Sequence, residues 1–267
     1  MKIESGQVAV ITGGASGIGF GLAAALGSRG VKVMISDVRE DALRQAVGDL
    51  RQAGYEVDGT RTDVSDPNAV QALAQAVLDR FDRVDLVFNN AGVAIPQKAM
   101  WEQDLDTWNR LIAIKFMGVV YGVRAFAPLL AAQGTGHIVN TASSGGVMPL
   151  PTMTPYNGTM HAVVGMTESL NLELKAVSPG LGATVLCPGL VATGLAENSA
   201  TLGFAVAAES SGAETTFGDV LSVEQVAEAT LAAIEADRVH VIPGKGIYEM
   251  VRQRALSVLE DLEVSNS

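Results

Sequence analysis

Ser143 and Tyr156 lie 13 positions apart in the stretch from His137 to Gly165, the serine closing an apolar run and the tyrosine opening a helical pattern. A buried strand feeding a helix can hold two hydroxyls over one substrate oxygen, one donating a hydrogen bond and the other exchanging a proton. A free phenol titrates near 10, so it works as a base at neutral pH only with a cation nearby to stabilise its anion. One helical turn after Tyr156, where a lysine would serve best, stands Met160. A thioether carries no charge and donates no hydrogen bond.

A second constellation lies near the N-terminus. Thr12-Gly13-Gly14-Ala15-Ser16-Gly17-Ile18-Gly19 follows an apolar run and precedes a small-residue helical pattern, with glycines spaced GxxxGxG. In such a turn Gly13 allows the sharp bend, Gly17 lets backbone approach a pyrophosphate, and Gly19 lets the helix sit close to the sheet, with Ser16 and Ile18 lining the same turn. An acid, Asp37, follows 18 residues past Gly19 at the tip of the next expected strand. Its carboxylate can accept from ribose hydroxyls and repel a 2′-phosphate, so NAD is favoured over NADP, although Arg39 could pair with a phosphate.

These groups are positioned by strands and helices in alternation, which implies one α/β domain over 1–267, a doubly wound parallel sheet (Rossmann fold) with helices on both faces. Strands are expected at Gln7–Thr12, Val31–Ser36, Glu56–Arg61, Asp85–Phe88, His137–Ala142, Thr184–Leu186 and Val239–Ile242. Helices are expected at Ile18–Gly30, Glu40–Ala53, Pro67–Phe81, Leu105–Ala132, Thr154–Val177 and Val223–Glu235, the last with Ser222 as N-cap. Thr193–Asp219 is small, polar and aperiodic, and reads as a substrate lid.

Apolar residues make up 48% of the 267 and aromatics 5%, with 29 glycines, so the core must be Ala, Val, Leu and Ile packed closely against turns. A formal charge of -11 without a basic cluster argues against nucleic acid or an anionic membrane as partner. The one cysteine, Cys187, excludes an intramolecular disulfide and fits a reducing compartment. No histidine spacing suggests a metal site, and each apolar run is broken within about 18 residues, short of a bilayer span. The chain reads as soluble and cytoplasmic.

Taken together, Thr12–Gly19, Asn89-Asn90-Ala91-Gly92, Ser143, Tyr156 and Pro188-Gly189 followed by Thr193 make the chain resemble the short-chain dehydrogenase/reductase family, in the family's order and over nearly the whole fold. The resemblance implies an NAD(P)-dependent enzyme in which Asp63 and Val64 flank the adenine and Asn89 braces the loop beside the cofactor. Ala91 and Gly92 complete that loop, and Val191 and Thr193 hold the nicotinamide carboxamide beside Pro188 and Gly189. It also implies a homodimer or homotetramer built on the helices Leu105–Ala132 and Thr154–Val177.

Two positions depart from the family. Met160 replaces its lysine, and Lys115 stands where the preceding long helix carries an asparagine. Three readings are open at this point. Lys115 supplies the missing ammonium, making Ser143, Tyr156 and Lys115 the catalytic set; or the bound NAD serves a non-redox lyase, aldol-type or isomerase step; or the chain binds NAD without turnover. A cation about 4 Å from a phenolate, at an effective dielectric near 20, is worth about 4 kcal/mol, or roughly three pKa units. Restoring lysine by Met160→Lys is a test between these readings: a large gain in dehydrogenase activity would show that the site merely lacks its cation. The loops at Ala94–Pro96, Gly145–Pro151 and the lid are mostly apolar, which points to a hydrophobic alcohol or ketone as substrate.

Overall fold

The computed structural model describes residues 1–204 and 220–265. Seven strands form one parallel sheet in the order β3-β2-β1-β4-β5-β6-β7. They are β1 (Val8–Thr12), β2 (Lys32–Asp37), β3 (Val57–Arg61), β4 (Leu86–Asn89), β5 (Gly136–Thr141), β6 (Leu181–Leu186) and β7 (His240–Val241). Runs such as VAVIT and GHIVNT are buried along their whole length, as strands covered by helices on both faces must be.

Each crossover is helical. On one face α1 (Gly17–Gly27), α2 (Glu40–Gln52) and α8 (Val223–Glu235) cover a core of Ile11, Leu22, Ile35, Phe88 and Leu231. On the other, α3 (Pro67–Phe81), α5 (Gly118–Gln133) and α6 (Thr154–Val177) cover Val10, Val87, Phe126 and Ile138. The order reverses between β1 and β4, so their C-terminal ends open a crevice of the kind in which α/β sheets bind ligands. The local signals that start these helices are visible in the sequence. Asp66 accepts from Asn68 N ahead of Pro67, and Ser222 and Gln225 form a reciprocal capping box.

Some of the expected helices need correcting. The single helix expected at Leu105–Ala132 is α4 (Leu105–Leu111), a π-helical segment Ile112–Met117 and α5. The wider turn inserts backbone at Lys115. Together these make a run, Leu105–Gln133, that holds an 18-residue window of mean hydropathy 1.5, long and apolar enough by composition to cross a bilayer although Lys115, Gly118, Arg124 and Pro128 interrupt it. Here it packs instead on α3 and α6. β6 runs from Leu181 to Leu186 and contains Thr184–Leu186 as expected. Two helices were not expected, α7 (Leu195–Thr201) inside the lid and α9 (Lys245–Ser265) at the C-terminus. Residues 205–219 of the lid lie outside the described residues.

Two buried groups behave as packing residues. Burial pushes the Cys187 thiol up to about 12. Burial likewise pushes His137 down from 6.5 to about 3. Its Nε2 lies 2.7 Å from Thr184 Oγ1, whose own proton goes to Arg238 O at 2.7 Å, so Nε2 must be the donor of a neutral ring. Unfolded His137 takes a proton near 6.5 and the folded one only near 3, so stability is complete above the first value and lost as pH falls toward the second. The slope from this residue is expected to reach about 1.4 kcal/mol per pH unit. Urea unfolding of His137→Asn between pH 4 and 7 should show a flatter acid limb than wild type; equal slopes would remove His137 from the acid response.

Candidate active site

The glycine turn leaves β1 with Gly13 at φ +65° and Gly17 at φ +51°, both in the left-handed region. A Cβ at Gly13 would lie 2.8 Å from Ala91 Cα, and one at Gly17 3.1 Å from the Thr193 methyl. A side chain at Gly13 would have to shift the Ala91 backbone and one at Gly17 the Thr193 side chain, and the positive φ strains any L side chain at both. Thr12 Oγ1 accepts from the amides of Asn90 and Ala91 at 3.0 and 3.1 Å, and Asn90 Nδ2 donates to Thr12 O at 3.1 Å. The loops after β1 and β4 are thereby fixed to each other across the crevice. Asn89, expected to brace this loop, turns the other way. Its Nδ2 donates to Asn140 Oδ1 at 2.9 Å, tying β4 to β5, and the bracing falls to Asn90.

At the far end of the crevice Asp37 is buried and caps β2. Its Oδ1 accepts from Arg39 N at 3.1 Å and Nε at 3.2 Å, and its Oδ2 from Ala15 N at 3.4 Å. Arg39 also donates to Ser16 Oγ at 3.0 Å and to Asn198 Oδ1 on α7. Asp63 is exposed, its Oδ1 accepting from Ser65 N and Oγ, while the buried Val64 packs on Gly118. A bare glycine cradle, open amides at the start of α1 and a buried acid one strand over are the donor set and the shape that a dinucleotide requires, so the residues present fit such a cofactor.

At the near end, Ser143 and Tyr156 are 8% and 9% exposed. Ser143 Oγ accepts from Gly145 N at 3.3 Å and keeps its own proton to donate. Lys115 is 4% exposed, and its Nζ sits 5.4 Å from the centroid of the Tyr156 ring. Among the described residues it has no carboxylate and no hydrogen-bond partner. Met160 is fully buried among Val93, Leu111, Val163 and Cys187, with no room for hydration. The structure therefore places the displaced lysine at the Tyr156 ring.

The turn carrying Ser143 is held to the helix carrying Tyr156 by Asn157, whose Nδ2 donates to Met148 O at 2.8 Å and also to Gly145 O. Pro188 O accepts from Ser144 N at 2.8 Å, and Gly189 packs on Ile247 of α9. Val191 pairs with Leu221 in an isolated bridge, and Thr193 lies against the glycine turn. Helix α7, in the segment expected to be a lid, is tied to the glycine turn and to the segment after β4. Asn198 Nδ2 donates to Ser16 Oγ at 3.2 Å, Ser199 Oγ accepts from Ala94 N at 2.9 Å, and Arg110 donates to Leu202 O at 2.6 Å while covering the Phe204 ring. Asn90, Asn157 and Asn198 escape a reading of the sequence because each acts across a distance in chain that no local pattern records. Asn90 alone carried a signal, being the second asparagine of Asn89-Asn90-Ala91-Gly92.

Gly92 makes room for the lysine. A Cβ there would fall 2.6 Å from Lys115 Nζ and 3.2 Å from its Cδ and Cε. The clash involves only the end of a flexible side chain, and Gly92 has no positive φ. Gly92→Ala is therefore expected to fold with an unchanged melting temperature and displace the ammonium, lowering kcat about tenfold. Steady-state kinetics equal to wild type would show that the lysine does not need that place.

A family described as short chain dehydrogenase matches residues 7–202. A 1-deoxy-11-beta-hydroxypentalenate dehydrogenase of Streptomyces avermitilis is 33% identical over 237 residues, which is 88% of this chain and 83% of that protein. A short-chain dehydrogenase/reductase from Burkholderia phymatum, solved in complex with NAD, is similar with a TM-score of 0.88 at 38% identity, over 99% of this chain and 97% of that one. An actinorhodin polyketide ketoreductase variant solved with NADPH is similar with a TM-score of 0.78 at 29% identity, over 90% of this chain and 97% of that one. The glycine cradle, the crevice at the strand reversal and the paired hydroxyls are thus those of a nicotinamide-dependent oxidoreductase, and the chain belongs to the short-chain dehydrogenase/reductase family.

Proposed function

We propose that this enzyme interconverts a hydrophobic alcohol and its ketone with NAD, using Tyr156 as acid and base, Ser143 as hydrogen-bond donor and Lys115 as the cation. The observation that carries the reading is the buried Lys115 ammonium 5.4 Å from the Tyr156 ring centroid. In alcohol oxidation Ser143 donates to the substrate oxygen and fixes it, Tyr156 takes the hydroxyl proton, and Lys115 offsets the charge left on the phenol. When bound, the nicotinamide supplies the hydride acceptor. Tyr156 then returns the proton toward solvent, or to the carbonyl oxygen in the reductive direction.

NAD over NADP rests on Asp37, whose carboxylate would oppose a 2′-phosphate, while Arg39 is already engaged by that carboxylate, Ser16 and Asn198. An apolar substrate is supported by the hydrophobic cluster that contains Tyr156, with Val93, Ile95, Val147, Leu150 and Phe204. Assembly as a dimer or tetramer through the long helices is supported by exposed Leu105, Ile112, Leu172 and Val177 on them. A soluble cytoplasmic enzyme is consistent with the acidic surface and the buried free thiol.

The test is to follow NADH absorbance while a panel of secondary aliphatic, alicyclic and aryl alcohols is offered with NAD, beside Tyr156→Phe. Oxidation of at least one apolar alcohol, lost in the variant, is the expected result. Substrate consumed with NAD unchanged would replace the reading with a lyase or isomerase step, and silence across the panel in both directions would remove it.

A further inference from the structure

Lys115 has a second consequence that its help to Tyr156 does not use up. A buried ammonium is costly unless something neutralises it. Its side chain is 4% exposed, yet it has neither ion pair nor hydrogen bond among the described residues, and its Nζ is not one of the sealed, unsatisfied atoms. The ammonium therefore keeps some accessible surface beside the Tyr156 ring. Among the described residues Tyr156 Oη has no hydrogen bond, and Ser143 Oγ accepts one from Gly145 N. The pocket thus offers an ammonium and two hydroxyl protons and, among the described residues, no carboxylate to receive them. Around these donors Val93, Ile95, Val147, Leu150 and Phe204 are apolar.

We infer that this pocket binds apolar monocarboxylates, the carboxylate seated on Lys115 with Ser143 and Tyr156 donating to it, and the alkyl or aryl tail against the hydrophobic wall. One uncompensated positive charge matches one negative charge. A phosphate or dicarboxylate would bring a second charge with no partner into the same low-dielectric space. The sequence alone pointed away from acids, because the loops hold no basic cluster. The cation comes instead from the π-helical segment beneath them. The inference rests on the same site as the proposed function but not on hydride transfer.

The test is calorimetric titration of the full chain, with and without saturating NAD, by benzoate and cyclohexanecarboxylate, with benzamide as the neutral match. Benzoate is expected to bind at least tenfold more tightly than benzamide, with NAD present as without it. Lys115→Met should abolish the preference while melting no lower than wild type. Equal affinity for benzoate and benzamide would overturn the inference, as would a preference that persists in Lys115→Met. Benzoate competed away by NAD would place the anion in the glycine turn and also overturn it. Alcohol oxidation without carboxylate binding would sink this inference alone. Carboxylate binding by a protein that oxidises no alcohol would leave it standing and remove the functional reading instead.

Discussion

Lys115→Ala is expected to lower kcat for alcohol oxidation about a hundredfold at neutral pH, with activity recovered toward alkaline pH. The magnitude follows from placement. A charge about 5 Å from a phenolate at an effective dielectric near 20 contributes about 3 kcal/mol, which is about two orders of magnitude in rate. The sign follows from the reaction, since oxidation requires the deprotonated phenol and the ammonium favours that form. Removing it moves the pH–rate profile to higher pH. Stability should move the opposite way. Because the buried lysine has no ion pair or hydrogen bond among the described residues, Lys115→Met exchanges that charge for an apolar chain of similar reach, and is expected to raise the melting temperature while lowering activity. A merely structural lysine would lose stability and leave the pH profile where it was. A pH profile unchanged in Lys115→Ala would end the idea of a displaced cation.

What could be read from the chain, and what could not, divides by how far the signal travels. The glycine turn, Asp37 at a strand tip and the Pro67 helix start are local features, with their physics written in adjacent residues, and the sheet follows from apolar runs buried on both faces. The pairing of Lys115 with Tyr156 was legible only as two departures from a pattern. It took the π-helical segment to bring them together, and a run reading LIAIKFMG carries no mark that one turn will widen. The clasp of Arg39 by Asn198 joins residues 159 apart in sequence and was invisible for that reason. The polar relay from Asn89 through Asn140 to Thr167 runs inside the molecule, with Asn140 Nδ2 donating to Thr167 Oγ1 at 3.0 Å. Adjacent asparagines in sequence do not say which faces the loop and which the sheet. α9 was missed because its apolar residues, Tyr248 and Leu259 among them, are largely exposed and give the helix no core-facing stripe to detect.

The same geometry bears on what restoring the family's lysine would do. Met160 is 0% exposed and packed among Val93, Leu111, Val163 and Cys187. With Lys115 kept, Met160→Lys places a second unpaired ammonium beside the helix turn that carries Tyr156. Breaking an apolar core with an uncompensated charge costs about 3 to 5 kcal/mol, and the first ammonium adds repulsion. Met160→Lys alone is therefore expected to lower the melting temperature by several degrees and to reduce activity rather than raise it. Replacing both residues, Lys115→Asn with Met160→Lys, removes the repulsion and exchanges the two charge positions. Urea unfolding of the four proteins in the cycle should show the double variant more stable than the sum of the singles by about 1 to 3 kcal/mol. Dehydrogenase activity in the double should exceed that of either single variant. Additive stabilities would mean that positions 115 and 160 do not share an electrostatic environment. High activity in Met160→Lys with Lys115 intact would mean that Lys115 plays no part in charging the Tyr156 site.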